Sequence, residues 1–198
     1  MVHPIEKKSY QILDQLVDLS NFSPLQKAVI ARVIHASADL DYASEMILSD
    51  LSVQNGIRAI QNNSAIITDV EMVKAGISTT EAKCFLSKVK ACPPNTTRSA
   101  LGIKLAAQEF PNGALVVIGN APTAVFEVIE LIEKGLFNPS LVIGMPVGFV
   151  GAAESKQALR QLDIASITNT SSKGGSAVAA AATNAIIRLA QEEVSVDI

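Results

Sequence analysis

The sequence predicts an α/β fold: a single Rossmann-like domain over residues 1–198, with a mostly parallel five-stranded sheet, helices on both faces and a helical N-terminal part. Three observations carry this reading. Residues 1–62 show helical periodicity throughout. From residue 64 short apolar runs alternate with helical patterns. Those runs are apolar along their whole length, as strands are when helices cover both faces. A chain of 198 residues is close to the size of one domain.

In the N-terminal part, Ile5, Tyr10, Ile12, Leu13, Leu16 and Leu19 recur at helical spacing over 4–19. Ser23-Pro24 reads as an N-cap followed by proline at the first helical position, opening a helix to about Ala38. Asp41 can cap a short helix, and 53–61 forms a fourth. In the part spanning 64–198, strands are predicted at 65–68, 85–89, 115–118, 141–144 and 164–168. Helices are predicted between and after them at 70–76, 96–110, 121–134, 153–162 and 174–191.

Composition narrows the function. Apolar residues make up 48% and charged residues 18%, too apolar for a disordered chain. The longest apolar run, Leu141 to Ala153, is interrupted by glycines and a proline and falls short of the roughly 18–20 residues of a membrane helix. The polar start lacks a signal peptide's apolar block, so a cytoplasmic protein is expected. A net charge of −3, no Trp and 4% aromatics supply neither the basic stripe nor the stacking platform of a nucleic-acid binder. Cys84 and Cys92 form no C-x-x-C pair and lie far from both histidines, which gives no zinc or redox motif.

Ligands of open α/β sheets gather beyond the carboxyl ends of the strands. Three such ends are glycine-rich here: Gly119 to Thr123, Gly144 to Gly151, and Lys173 to Ser176. Glycine lets backbone approach a ligand, and helix starts favour anions. None of the three is a dinucleotide or P-loop fingerprint. His35 lies near the C-terminus of its helix, with Asp39 and Asp41 following. That setting favours a protonated imidazole and suits a general acid. Arg32 is three residues earlier, about 60° around the helix, so both side chains can address one ligand. Arg98 follows Asn95-Thr96-Thr97 at a helix start, where a guanidinium can clamp a carboxylate.

These residues fall in segments that resemble the precorrin-8X and cobalt-precorrin-8 methylmutase family over nearly the whole chain. The resemblance rests on His3-Pro4-Ile5-Glu6 with Ser9-Tyr10, on Arg32 to Ala36, and on Ile67 to Val73. It continues through Asn95 to Ala100, Gly119 to Ala124, Gly144 to Lys156, and Gly174-Gly175-Ser176. The Gly144–Lys156 stretch is the most specific. After the histidine and alanine the family usually carries Cys or Thr and then Gly; Ser37-Ala38 stand there instead, small for small.

The resemblance implies a cobalamin-pathway isomerase that moves a methyl group from C11 to C12 of a contracted tetrapyrrole, giving hydrogenobyrinic or cobyrinic acid. It implies His35 as proton donor and Ser9, Arg32 and Arg98 as substrate contacts. It also implies a homodimer, no cofactor, and any cobalt belonging to the corrinoid substrate. Two other readings stay open on the sequence: a corrinoid carrier without catalysis, and a nucleotide-using enzyme on a Rossmann-like sheet.

Overall fold

The computed structural model describes residues 3–78 and 81–196. Helix α1 (Pro4–Leu16) starts from His3, whose Nδ1 accepts the Ile5 N–H, and stops three residues before the predicted end. Ser23 and Gln26 form a reciprocal capping box that opens α2 (Pro24–Ser37). This helix ends on Ala38 in the left-handed conformation (φ 54°). The one-turn α3 (Tyr42–Glu45) receives no side-chain cap from Asp41. A second capping box, Ser49 with Ser52, starts α4 (Asp50–Gln61) earlier than the apolar periodicity indicates.

The remaining helices are α5 (Glu71–Gly76), α6 (Arg98–Glu109), α7 (Pro122–Glu133), α8 (Ala152–Arg160) and α9 (Ser176–Val196). Strands β1 (Met46–Ile47), β2 (Ile66–Thr68), β3 (Ala82–Cys84), β4 (Leu115–Ile118), β5 (Leu141–Gly144) and β6 (Ser166–Asn169) build one sheet in the order β1-β6-β5-β4-β2-β3. All pairings are parallel except that of β1 with β6.

The sheet therefore has six strands, not the predicted five. Strand β1 is too short to show a period, and it lies inside the helical N-terminal part, held against Thr168 and Asn169. The strand expected at 85–89 is also displaced. Only Phe85 of that run is buried, its ring edge-on to Phe110 at 6.4 Å, and residues 86–88 close a 3₁₀ turn instead. The neighbouring residues Ala82–Cys84 pair with β2 in its place.

Counted from β2, the five parallel strands follow the order 2-1-3-4-5, which is the flavodoxin-like winding and not the 3-2-1-4-5-6 order of a Rossmann sheet. The reversal point lies between β2 and β4. Strand alternation divides the core into two layers. Ile66, Leu115, Val117, Leu141 and Ile143 face Ile30, Val53, Ile57 and Ile186 of α2, α4 and α9. Ile67, Val116, Ile118 and Val142 face Ile103, Val125, Val128 and Leu159 of α6, α7 and α8. Helices α2 and α4 thus cover the sheet jointly with α9, and the last turn of α2 reaches the strands' carboxyl edge.

Candidate active site

On α1, residues 6, 9 and 10 share one face, because positions three and four apart are neighbours on a helix. On α2, residues 32 and 35 do the same. The two faces meet. Ser9 Oγ lies 2.7 Å from His35 Nδ1, and the Tyr10 ring stacks on the imidazole with centroids 5.0 Å apart and planes at 19°. Arg32 Nη1 donates to Glu6 Oε1 at 2.7 Å and to the Tyr10 hydroxyl at 3.5 Å. Arg188 of α9 reaches the same Glu6 oxygen at 3.6 Å. The Tyr10 hydroxyl, with Glu6, raises the Arg32 pKa above its ordinary value and so fixes its charge.

His35 is half-buried, and its Nε2 has no protein hydrogen-bond partner among the described residues. The ring is held at one nitrogen and across one face, while the other nitrogen is left to a ligand. A serine suits Nδ1 because its oxygen accepts the Nδ1–H of an imidazolium and goes on accepting it when a proton leaves Nε2. The Asp39 and Asp41 carboxylates, expected to act on His35, are engaged by Lys173, with Asp39 at 2.8 Å. One ammonium thus holds both carboxylates.

Arg98 stands apart. It is exposed at the start of α6 and donates to the Leu86 carbonyl at 3.1 Å. The Thr97 hydroxyl beside it caps α6 and pairs with Thr123 at 2.7 Å. No contact joins Arg98 to Ser9, Arg32 or His35 among the described residues.

The three glycine-rich strand ends do share one edge, but they differ in what they offer. At the reversal point the Asp69 carboxylate is buried and accepts the Gly119, Asn120 and Ala121 N–H groups at 3.1, 2.9 and 2.8 Å. Burial raises its pKa above the ordinary carboxylate value, against the opposing pull of these bonds. The backbone donors of the loop leading into α7 are thus taken by the chain's own carboxylate, which withdraws them from the phosphate cradle that a nucleotide reading needs. The other two loops are stitched together: Gly175 N–H donates to the Met145 carbonyl at 2.9 Å and Gly148 N–H to the Ser172 carbonyl at 3.1 Å. Gly174 (φ 155°) crosses Met145 and Pro146 so closely that a Cβ would lie 2.4 Å from a carbonyl oxygen.

A groove of about 950 Å³ runs along α1, α2 and α9, lined by Glu6, Tyr10, Arg32, Asn184 and Arg188 among others. It borders Tyr10 and Arg32, while His35 and Ser9 sit beyond its lining. In the sequence Glu6 stands only in a motif, and Tyr10 in that motif and in the helical periodicity of 4–19. Their spacing to Ser9 was the available signal for a shared face. Asp69 and Lys173 gave no comparable signal, since each finds its partners through distant loops. Among the described residues no three His, Cys, Asp or Glu side chains cluster to hold a metal, and no helix is long and apolar enough to cross a membrane.

Comparison with known proteins matches residues 4–189 to the family described as precorrin-8X methylmutase. The chain is 41% identical over 197 residues to the cobalt-precorrin-8 methylmutase of Methanothermobacter thermautotrophicus, covering 96% of this chain and 95% of that protein. It is 34% identical over 196 residues to the precorrin-8X methylmutase of a Sinorhizobium species, covering 93% of each. The crystal structure of precorrin-8x methyl mutase from Thermus thermophilus superimposes with a TM-score of 0.86 at 35% identity, covering 96% of both chains.

Proposed function

This chain belongs to the precorrin-8X methylmutase family, isomerases of cobalamin biosynthesis, and on that premise we propose how its residues carry the reaction. The substrate is precorrin-8X or its cobalt-bearing counterpart, and one methyl group moves from C11 to C12 of the ring. His35 donates the Nε2 proton to a ring nitrogen of the macrocycle. Protonation withdraws electron density from the adjoining carbon framework, so the C11–methyl bond breaks as the C12–methyl bond forms. The proton then returns to His35, and the product is an isomer with no net gain or loss of atoms. The shift is redox-neutral and intramolecular, which leaves no task for a cofactor.

The observation that carries this reading is the Ser9–His35–Tyr10 group. Ser9 Oγ, 2.7 Å from Nδ1, accepts the Nδ1–H before and after the Nε2 proton leaves, and the stacked Tyr10 ring fixes the imidazole plane. A donor held in this way needs no reorganisation when the proton moves. Arg32, anchored by Glu6, keeps Tyr10 in place and presents positive charge beside the groove to a carboxylate arm of the substrate. Arg98 offers a second, exposed guanidinium for another arm. Two copies associate in the cytoplasm. The fully exposed Phe149 and the nearly fully exposed Val150 support the association, since a partner copy would remove them from water. A stable dimer would bury about 2,000 Å² or more, and sedimentation velocity measures the state directly.

Replacing His35 with Ala or Asn tests the mechanism. Turnover of the tetrapyrrole should fall about 10²–10⁴-fold, the contribution of one positioned proton donor, while the product still binds. A His35→Ala enzyme turning over at the wild-type rate would remove His35 from the chemistry.

A further inference from the structure

Lys156 is wholly buried in α8, and the mechanism does not use it. Its ammonium donates to Asn169 Oδ1 at 2.8 Å and to the Ser171 and Lys173 carbonyls at 2.6 Å each. A lysine has three donors, so all are committed and none faces a ligand. The segment they hold is bonded to itself as well. Asn169 Nδ2 donates to the Lys173 carbonyl at 3.0 Å, Lys173 N–H to Ser171 Oγ at 3.1 Å, and Ser171 Oγ–H to the Glu45 carboxylate. Residues 169–173 are wrapped around one buried positive charge.

Lys173 leaves this wrap outward, and its Nζ joins Asp39 at 2.8 Å and Asp41. Those carboxylates directly follow α2. Asp39 N–H donates to Ser37 Oγ at 3.2 Å, and Ala38 N–H to the Ile34 carbonyl at 2.7 Å, so the clasp bears on the last turn of the helix, where His35 sits. A continuous path of hydrogen bonds and ion pairs therefore runs from Lys156 to the end of α2.

We propose that Lys156 is a positioning residue for His35: by folding residues 169–173 around its ammonium it aims Lys173 at Asp39 and Asp41 and so fixes the last turn of α2. The importance of this for turnover rests on His35 being the proton donor. The placement itself does not. A misplacement of about 1 Å at a reacting group can cost roughly 10²-fold in rate, so a clasp this far from the ring is mechanistically significant.

The chain has two histidines, His3 and His35, so its imidazole NMR spectrum contains two sets of ring resonances. The experiment records them, with kcat and KM, in the wild type, Lys156→Met and Lys173→Met. The expected result is displaced or broadened His35 lines in both variants, unmoved His3 lines, and kcat reduced roughly 10- to 100-fold with KM little changed. Wild-type His35 lines and wild-type kcat in both variants overturn the proposal, while an inactive His35→Ala enzyme would leave the catalytic reading intact. Displaced His35 lines without loss of rate would keep the link and overturn the catalytic reading instead. If Lys156→Met loses its far-UV circular dichroism, Lys173→Met decides alone, because the Lys173 side chain is partly exposed and breaks only the clasp.

Discussion

Two corners of the same sheet edge are each organised around one buried charge, and the charges are opposite. At the β2–β4 reversal point, Asp69 gathers three backbone N–H groups. At the β6 corner, Lys156 gathers two carbonyls and a side-chain amide oxygen. The first occupies the loop donors ahead of α7 that an external anion could otherwise take. The second shapes a loop whose next charged side chain reaches the carboxylates that follow α2. A buried charge can therefore consume one loop's donors and, elsewhere, direct the side chain that follows the segment it captures.

The largest expected effect tests the acidic corner. Asp69→Ala leaves the Gly119, Asn120 and Ala121 N–H groups without their acceptor, and should cost about 3–5 kcal/mol of stability in urea unfolding. A loss below about 1 kcal/mol would show that the loop finds other partners, and the contrast with Lys156 would collapse.

The two charges also respond to pH in mirrored ways. Burial lowers the Lys156 pKa from 10.5 to about 8, opposed by Glu45 and assisted by Arg160. Between those values the folded chain binds fewer protons than the unfolded one, so stability from this group rises with pH. Relative to Lys156→Met, the wild type should gain at most about 3 kcal/mol between pH 8 and pH 10.5, read from urea midpoints. Asp69 is raised, so its folded form holds a proton more tightly and its contribution improves as pH falls through that raised value. A wild-type advantage that shrinks above pH 8 would reverse the sign for Lys156.

Arg98 stands beside the acidic corner, where backbone donors are already taken, and it is exposed. Arg98→Ala should weaken product affinity by about 1 kcal/mol, roughly fivefold, and flatten the salt dependence of binding. Titration at two ionic strengths measures both; unchanged affinity at each would make Arg98 a surface charge.

The smallest change sharpens the other corner. Ala38 sits at φ 54°, where a Cβ is strained and where the family resemblance leads one to expect glycine. Ala38→Gly should stabilise the chain by about 0.5–1 kcal/mol, after the extra freedom of an unfolded glycine is subtracted, and raise Tm by about 1–4 °C. A lower Tm would mean that Ala38 is not strained there.

The sequence alone determined what depends on near neighbours along the chain. Ser23-Pro24 began α2 because a cap and its N–H partners are local, and the runs at 115–118 and 141–144 became central strands because only a doubly covered strand is apolar throughout. The spacing of Arg32 three residues from His35 marked one helix face of the site, while Glu6 and Ser9 stood only in a motif until the structure set their face against it. Tertiary structure decided what depends on partners far apart in sequence. It made Met46–Ile47 a strand by pairing it with β6, and it moved the predicted 85–89 strand to Ala82–Cys84 because only β2 could supply the ladder. It gave Arg32 to Glu6, the loop at 119–121 to Asp69, and the β6 corner to Lys156. The reason is electrostatic: once buried, a charged or backbone polar group must be matched within hydrogen-bond reach, and which groups come within reach is known only when the sheet has brought its distant ends together.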